Sequence, residues 1–256
     1  PKLDDAHMAG SNTSSDCTLI LTEGDSAKAL AVAGLEIIGR QLHGVFPLRG
    51  KFLNVRDATV AQLTNNNEVK ALCMILGLDF ENTYETQKER DSLRYGHIML
   101  MTDQDADGSH IKGLVINFFR HFWPNLLMPI SNSPEEKPFL SSFITPLIKA
   151  TKRGRGAKKE DKKTFYSMAE YNLWRKELPE NGIKQWNIKY YKGLGTSTQA
   201  EAKEYFRDFV GHHRPFKWGG DEDGLLLDMV FQKDRASERR EWLMKYDETI
   251  VLDEPC

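Results

Sequence analysis

Short apolar runs alternate with longer amphipathic segments over the first part of the chain. Residues 17–22 and 97–102 are compact and strongly apolar, which predicts two buried strands. Apolar residues recur at helical spacing after each run, and Pro124 predicts the end of the second helix. Because parallel strands need crossover connections, this alternation predicts a mostly parallel α/β sheet flanked by helices over residues 16–150.

Two helix boundaries can be predicted from local chemistry. In the segment after the first strand, Asp25 or Ser26 is of the type that caps a helix start. A third helix is predicted in NEVKALCMILGL, with its end near Gly77.

A charged stretch that contains glycine, residues 151–163, divides the chain and predicts a linker or insertion. Residues 164–256 are then expected to form a smaller α+β extension that leads toward a further domain. In this extension, QWNIKYY predicts a strand, and AEYNLWRKEL and TQAEAKEYFRDF predict helices. The cluster from His212 to Arg214 is expected to lie in a solvated loop.

Composition limits the classes of function. The 256 residues are 40% hydrophobic and 28% charged, which is typical of a globular protein with a sizeable core. The 35 Lys and Arg nearly balance 37 Asp and Glu, so a nucleic-acid role would have to depend on local patches. The most apolar stretch is interrupted by Arg120 and Pro124, so no membrane role is expected.

The three cysteines, Cys17, Cys73 and Cys256, are far apart and show no CxxC spacing. This argues against a disulfide framework and a zinc site, and favours a reducing compartment. Because the sequence begins with proline rather than methionine, we expect it to be part of a longer protein.

Three aspartates alternate directly after the second predicted strand, in the order Asp103, Asp105, Asp107, Gly108. This order resembles the start of an EF-hand loop, but the twelfth position is Leu114 instead of the bidentate Glu, and a strand precedes the loop. A purely structural interpretation makes Asp105 and Asp107 turn and cap residues. That interpretation leaves Asp103, at the mouth of a buried strand, unexplained.

A metal site explains the cluster better. Residues two apart in an extended segment lie roughly 6 to 7 Å apart on one side, and can share divalent ions. Glu23 directly follows the first predicted strand, and ligand sites gather at the carboxyl ends of parallel strands. Oxygen ligands without Cys or His favour Mg²⁺ or Mn²⁺. The sequence therefore predicts that Glu23 and Asp103 meet at one edge of the sheet.

Glu-Gly after one strand and Asp-x-Asp-x-Asp-Gly after another resemble the two halves of the Toprim metal site. The stretches EGDSAKALA, PLRGKFLNV, MTDQDADGSHIKGL and KYYKGLGTST resemble the type IIA DNA topoisomerases in order and character, with spelling closer to the eukaryotic enzymes than to bacterial gyrase B. The resemblance covers nearly all of residues 18–209. It implies a Toprim fold followed by the smaller extension.

The resemblance also implies roles for individual residues. Glu23, Asp103 and Asp105 are expected to hold the catalytic divalent ions, and Asp107 to support the site. Further residues are expected to contact DNA near the cleavage position: Arg49, Lys51, Asn54, Gly24, Asp25 and Lys192. Lys192 precedes its glycines, unlike the lysine of a P-loop, and Thr198 with Glu201 predicts a helix capping box after it.

Membership of this family would imply an ATP-dependent enzyme that passes one duplex through a transient double-strand break, works as a homodimer and acts in the nucleus or, in some forms, the mitochondrion. ATP would be bound elsewhere in the full-length protein. None of the eight tyrosines has the context of the winged-helix nucleophile, so the isolated chain is expected to be inactive. The alternatives are a Toprim nuclease or primase, and a calcium-binding or scaffold domain.

Overall fold

The computed structural model describes residues 2–131, 136–154 and 161–245. Its strands are β1 (Thr18–Glu23), β2 (His43–Leu48), β3 (His97–Met101), β4 (Leu140–Phe143), β5 (Ile148–Lys152), β6 (Lys162–Phe165), β7 (Trp186–Tyr190) and β8 (His213–Pro215). Its α-helices are α1 (Gly24–Ile38), α2 (Val60–Asn65), α3 (Asn67–Leu76), α4 (Gln87–Arg90), α5 (Ala106–Phe122), α6 (Met168–Glu177), α7 (Gln199–Arg207), α8 (Phe209–His212), α9 (Asp221–Phe231) and α10 (Ala236–Met244).

The larger sheet has five strands in the order β2, β1, β3, β4, β8. The first four are parallel, and β8 pairs antiparallel with β4. This confirms the predicted mostly parallel α/β sheet. Because β1 lies between β2 and β3, the carboxyl ends of all three strands lie side by side at one edge.

Helices cover both faces of this sheet. On one face, α3 and α5 pack against β1, with Leu72 and Phe118 fully buried. On the other face, α1 and α7 pack together, and a Cβ at Gly34 of α1 would lie 2.6 Å from Cγ of Phe206 in α7. The sheet is therefore buried on both sides, which is why its strands have nearly continuous apolar sequences.

The second sheet is antiparallel, in the order β6, β5, β7, and α6 packs on one of its faces. It forms the core of the smaller α+β extension. Its strand β5 spans the boundary expected at residue 150, and β6 begins within the expected linker 151–163; residues 155–160 of that stretch lie outside the described residues. Ile148 and Ala150 are buried between lysine and threonine positions, so this charged segment alternates as a strand does.

Two local predictions were wrong. The helix α1 begins at Gly24 with Glu23 in the capping position and no side-chain cap, so neither Asp25 nor Ser26 caps it. The segment at His212 is not a solvated loop: the His212 ring is buried, its Nδ1 is 2.7 Å from the carbonyl oxygen of Ile144, and β8 follows it.

Other boundaries are confirmed. The helix α3 ends at Gly77, whose left-handed conformation closes its last turn, and α5 ends before Pro124. None of the helices in the described part of the chain has the length and apolar character needed to cross a bilayer.

Candidate metal centre

Three neighbouring parallel strands deliver charged residues to the same edge of the larger sheet. Glu23 ends β1 opposite Leu48, the last residue of β2, and Thr22 is opposite Met101, the last residue of β3. Arg49 and Lys51 follow β2 directly, and Asp103 follows β3. Acidic and basic side chains more than 25 residues apart in sequence therefore share one small region.

The expected approach of Glu23 and Asp103 is present in the fold. The backbone N–H of Asp103 donates to Oε2 of Glu23 over 3.2 Å. Thr102, buried at the end of β3, donates its hydroxyl to the carbonyl of Gly108 in α5, at 3.2 Å. The turn that carries the aspartates is thus fastened both to the neighbouring strand end and to the helix that follows it.

The pKa of Glu23 is raised above its ordinary value. The main cause is burial, which penalises the charged carboxylate, and the negative charges of Asp103, Asp105 and Asp107 add to it. The hydrogen bond from the Asp103 backbone acts in the opposite direction. A bound cation would offset these unfavourable charge interactions and favour the ionised form of Glu23.

The backbone at Gly24 explains how a strand and a helix can meet so sharply. Gly24 has a φ of 76°, a left-handed conformation that side chains disfavour, and α1 starts there immediately after β1. The next residue, Asp25, is exposed and forms an ion pair with Lys2 at 2.6 Å. The hydrogen bond from Lys2 is the main cause that lowers the pKa of Asp25, and Lys28 and Arg49 contribute.

The other two aspartates have separate local partners. Asp105 caps α5, since its Oδ1 accepts the backbone N–H of Gly108 at 2.8 Å. Asp107 is exposed and lies 2.7 Å from Nζ of Lys51. The hydrogen bond from Lys51 lowers the pKa of Asp107. The structural interpretation of the sequence therefore accounts for Asp105, as a cap, and leaves Glu23 and Asp103 as the interacting pair.

A hard divalent ion fits this pair by the chemistry of its donors. Glu23 and Asp103 are half-buried, offer only oxygen ligands and are held together at a sheet edge, and the charge of Asp103 is among the causes that raise the pKa of Glu23. Across residues 2–131, 136–154 and 161–245, however, no three Asp, Glu, His or Cys side chains are arranged to hold a metal ion together. The structure thus brings together two of the expected ligands, not all of them.

The candidate DNA-contacting residues differ in how available they are. Arg49 and Lys192 are exposed, and Lys51 is exposed but paired with Asp107. Both ends of the Asn54 amide are already used: Nδ2 donates to the carbonyl of Phe231 at 2.9 Å, and Oδ1 accepts from the Asn117 amide at 3.2 Å. Asn54 therefore joins the segment after β2 to α5 and α9.

The sequence analysis missed a contact from the smaller extension. The backbone N–H of Leu194 donates to Oδ1 of Asp103 at 2.7 Å, and a Cβ at the neighbouring Gly193 would lie 2.9 Å from Cγ of Asp103. The predicted capping box of Thr198 and Glu201 is confirmed, but the reach of the preceding loop to Asp103 has no local sequence signal. The one related feature of the sequence is the pair of glycines in KGLG, residues 192–195, which is consistent with a close approach of the backbone to another segment.

The mostly parallel sheet, with two carboxylates at the carboxyl ends of adjacent strands, is typical of the Toprim class, and comparison with protein families supports this class. Residues 18–132 match the Toprim domain, and residues 143–256 match the C-terminal associated domain of Toprim. The chain belongs to the Toprim proteins and resembles, specifically, the Toprim region of eukaryotic DNA topoisomerase II, as its motifs indicated.

Relatives and a solved structure support this assignment over nearly the whole chain. DNA topoisomerase 2 of Caenorhabditis elegans is 52% identical over 246 residues, 96% of this chain and 15% of that protein. The mitochondrial DNA topoisomerase 2 of Dictyostelium discoideum is 51% identical over 98% of this chain and 18% of that protein. The DNA-binding, cleavage and re-ligation domain of Plasmodium falciparum topoisomerase II superposes with a TM-score of 0.83 and 47% identity, over 98% of this chain and 33% of that one.

The chain therefore spans less than a fifth of the length of these two relatives. Relatives at about 50% identity include DNA topoisomerases 2 from animals and from an amoeba.

Proposed function

We propose that this chain supplies the metal-binding half of the DNA cleavage and religation site of a type IIA topoisomerase. The observation that carries the proposal is the convergence of Glu23 and Asp103 from adjacent parallel strands, with the Asp103 backbone bound to the Glu23 carboxylate and the pKa of Glu23 raised. A carboxylate with a raised pKa, held beside a second carboxylate at the carboxyl ends of parallel strands, is typical of a functional site.

In this proposal, Glu23 and Asp103 hold Mg²⁺ or Mn²⁺, with Asp105 as a further ligand and Asp107 in support. The bound ion would stabilise negative charge on the scissile phosphate and on the departing sugar oxygen. The protein side chains fix the position of that charge, because Glu23 and Asp103 are fastened to strand ends rather than to a free loop.

Basic side chains beside the pair would orient the DNA backbone. Arg49 and Lys51 follow β2 at the same sheet edge, and Arg and Lys neutralise phosphates. Lys51 would exchange its exposed partner Asp107 for a phosphate. Lys192 would add a third basic side chain to Arg49 and Lys51. Gly24 and Asp25 lie in the turn beside Glu23. Asn54 would hold the segment of Arg49 and Lys51 in place through its contact with Phe231.

In this proposal, the other groups that the reaction needs come from outside this chain. A winged-helix tyrosine would attack the phosphate and form the phosphotyrosyl link, an ATPase region would bind ATP, and a second subunit would supply the other cleavage site. The substrate would be double-stranded DNA. A nuclear location is proposed, with a mitochondrial form as the alternative.

The test uses the longer protein that includes the tyrosine-bearing domain. Glu23→Gln and Asp103→Asn should each reduce Mg²⁺-dependent formation of protein-linked DNA breaks by 100-fold or more, while duplex binding in a gel-shift assay is retained. Glu180→Gln is the matched control, because Glu180 is an exposed carboxylate after α6. Cleavage at the normal rate by either site variant would reject the proposal. Metal-dependent free ends, made without a linked tyrosine, would instead indicate a Toprim nuclease.

A further inference from the structure

The loop between β7 and α7 crosses from the C-terminal associated domain to the aspartate cluster. Its Leu194 N–H donates to Oδ1 of Asp103 at 2.7 Å, although the two residues are 91 positions apart. The Leu194 side chain is buried in the core cluster that α1 and α7 share, which fixes where its backbone N–H points. A hydrogen bond from a fixed donor to a carboxylate is stronger than a neutral one and selects one side-chain orientation.

Gly193 is required by space alone. Its φ is 177°, extended backbone that any residue adopts, so strain does not explain the glycine. A Cβ there would lie 2.9 Å from Cγ of Asp103, which is too close for an ordinary contact, and would push against the carboxylate itself. The neighbouring Gly195 differs, because a Cβ there would lie 3.3 Å from Cβ of Ser26 and away from Asp103.

The far end of the loop is fastened by Glu201. Its carboxylate accepts the backbone N–H of Thr198 at 2.8 Å and the ammonium group of Lys189 in β7 at 2.6 Å, and the Tyr191 hydroxyl also donates to it. Within the loop, the backbone N–H and the hydroxyl of Thr196 both donate to the carbonyl of Gly193, at 3.0 and 2.6 Å. The loop is thus a compact turn held at β7, at the start of α7 and at Asp103.

We propose that this loop, residues 192–197, is a positioning element for the Asp103 carboxylate. Gly193 provides the space, Leu194 provides the hydrogen bond, and Glu201 anchors the turn. Leu194 holds one oxygen of Asp103, and this hydrogen bond sets the orientation of the carboxylate that would bind the cation. The C-terminal associated domain thereby orders a metal-binding group of the Toprim domain. This inference rests on the proposed function only in that Asp103 is a ligand of the divalent ion.

The first experiment measures Mn²⁺ binding to the full chain by calorimetry. Gly193→Ala should raise the Mn²⁺ dissociation constant about 10- to 100-fold, the range typical when a group that orients a metal ligand is lost. Gly195→Ala, the matched control in the same turn, should change it less than 3-fold. Glu201→Gln should give an intermediate loss, because its side-chain oxygen still accepts from Thr198 while the ion pair with Lys189 is lost.

A second experiment needs no metal. Hydrogen exchange of the Leu194 amide should become at least 10-fold faster in Asp103→Ala, since its acceptor is removed. The Ala202 amide, which donates to Thr198 within the capped helix α7, should keep its rate and serves as the internal control.

The outcomes separate this inference from the proposed function. Equal Mn²⁺ affinity in Gly193→Ala and Gly195→Ala, or an unchanged Leu194 exchange rate in Asp103→Ala, would overturn the positioning role. If Glu23→Gln leaves Mn²⁺ binding unchanged but Leu194 exchange responds to Asp103→Ala, the loop contact stands and the metal role of the proposed function fails.

Discussion

The Glu23 carboxylate accepts a hydrogen bond from the backbone N–H of Asp103 at 3.2 Å, so the last residue of β1 is tied to the turn that leaves β3. The contact places the half-buried carboxylate of Glu23 close to Asp103, and, in addition to burial, the negative charge of Asp103 raises the pKa of Glu23. The protonation state of Glu23 is therefore linked to whatever occupies the space beside Asp103.

The first prediction concerns the titration of Glu23. Because burial and then the neighbouring aspartates raise its pKa, the metal-free folded chain holds the Glu23 proton more tightly than the unfolded chain does. The stabilisation from this group is present at low pH and is lost as pH rises through the raised pKa. Mn²⁺ competes with the same proton, so binding should strengthen over that pH range.

Asp103→Asn should lower the pKa of Glu23 by removing one of the charges that raise it, and should leave the effect of burial in place. Carboxyl NMR titration of wild type and variant measures this directly. Asp91→Asn, at an exposed site after α4, is the control. A Glu23 pKa unaffected by Asp103→Asn would show that the two charges do not interact.

The second prediction concerns the exposed ion pair of Lys51 and Asp107. Lys51→Met should return the pKa of Asp107 toward its ordinary value, since the hydrogen bond from Lys51 is the main cause of its lowering. The thermal midpoint should hardly change, because exposed ion pairs contribute little to stability. If Lys51 meets a phosphate, the variant should bind duplex DNA more weakly, with a salt-dependence slope smaller by about one.

Lys184→Met provides the comparison for DNA binding, as Lys184 is also exposed but lies near the second sheet. The same loss of binding in both variants would argue for bulk charge rather than a contact at Lys51.

The third prediction tests the packing of α1 on α7. Gly34→Ala should lower the free energy of unfolding by about 1–3 kcal/mol, because the new Cβ would lie 2.6 Å from Cγ of the buried Phe206 ring. Urea denaturation measures the loss. Gly154→Ala, where a Cβ meets nothing within 4 Å, should change stability by less than about 0.5 kcal/mol. Equal free energies of unfolding for the two variants would show that α1 and α7 can move apart to accept the new Cβ without a loss of stability.

The fourth prediction uses the acid range. Burial works against the charged form of Glu201, but hydrogen bonds from Lys189, Thr198 and Tyr191 together lower its pKa to about 2. A lowered pKa gives stability that is complete above the ordinary value near 4.5 and is lost as pH falls toward 2. Glu201→Gln should therefore cost about 1–3 kcal/mol at neutral pH, with the difference from wild type shrinking over this range.

Denaturant unfolding at several pH values from 7 to 2.5 measures that difference. The control is Glu204→Gln, because Glu204 has an exposed carboxylate and lies three residues after Glu201 in the same helix. A constant difference between wild type and Glu201→Gln at every pH would exclude ionisation as the source of the stabilisation.

Strands β1 and β3 and helix α3 could be predicted from the sequence because short-range patterns of apolar residues and helix-ending residues determine them. The strands β1 and β3 are each built around a short apolar run, residues 19–21 and 98–101, and α3 carries both a helical apolar stripe and a left-handed glycine at its end. The meeting of Glu23 and Asp103 followed from one topological rule about parallel strands, once the strands were placed.

The error at His212 and the missed contact of Leu194 arose where distant segments decide the local structure. His212 looks like a solvated residue by composition, yet it is buried because its ring stacks on Phe143, at a centroid distance of 5.5 Å, and β8 pairs with β4. The contact of Leu194 with Asp103 joins residues 91 positions apart, so no window of sequence could reveal it. The DNA contact expected of Asn54 stays a prediction, and the additional role of its amide in joining α5 and α9 has no local sequence signal.

The placement of β8 and α7 bears on how this protein could be divided. The stretch that matches the Toprim domain, residues 18–132, includes only β1, β2 and β3 of the five-stranded sheet. Expressed alone, it would present β3 as an unpaired edge and would expose the side of α1 that packs on α7, a combination that favours self-association. We therefore expect an independently folding unit to include residues of both matched segments, and a transplant of the carboxylate pair into another scaffold to need both.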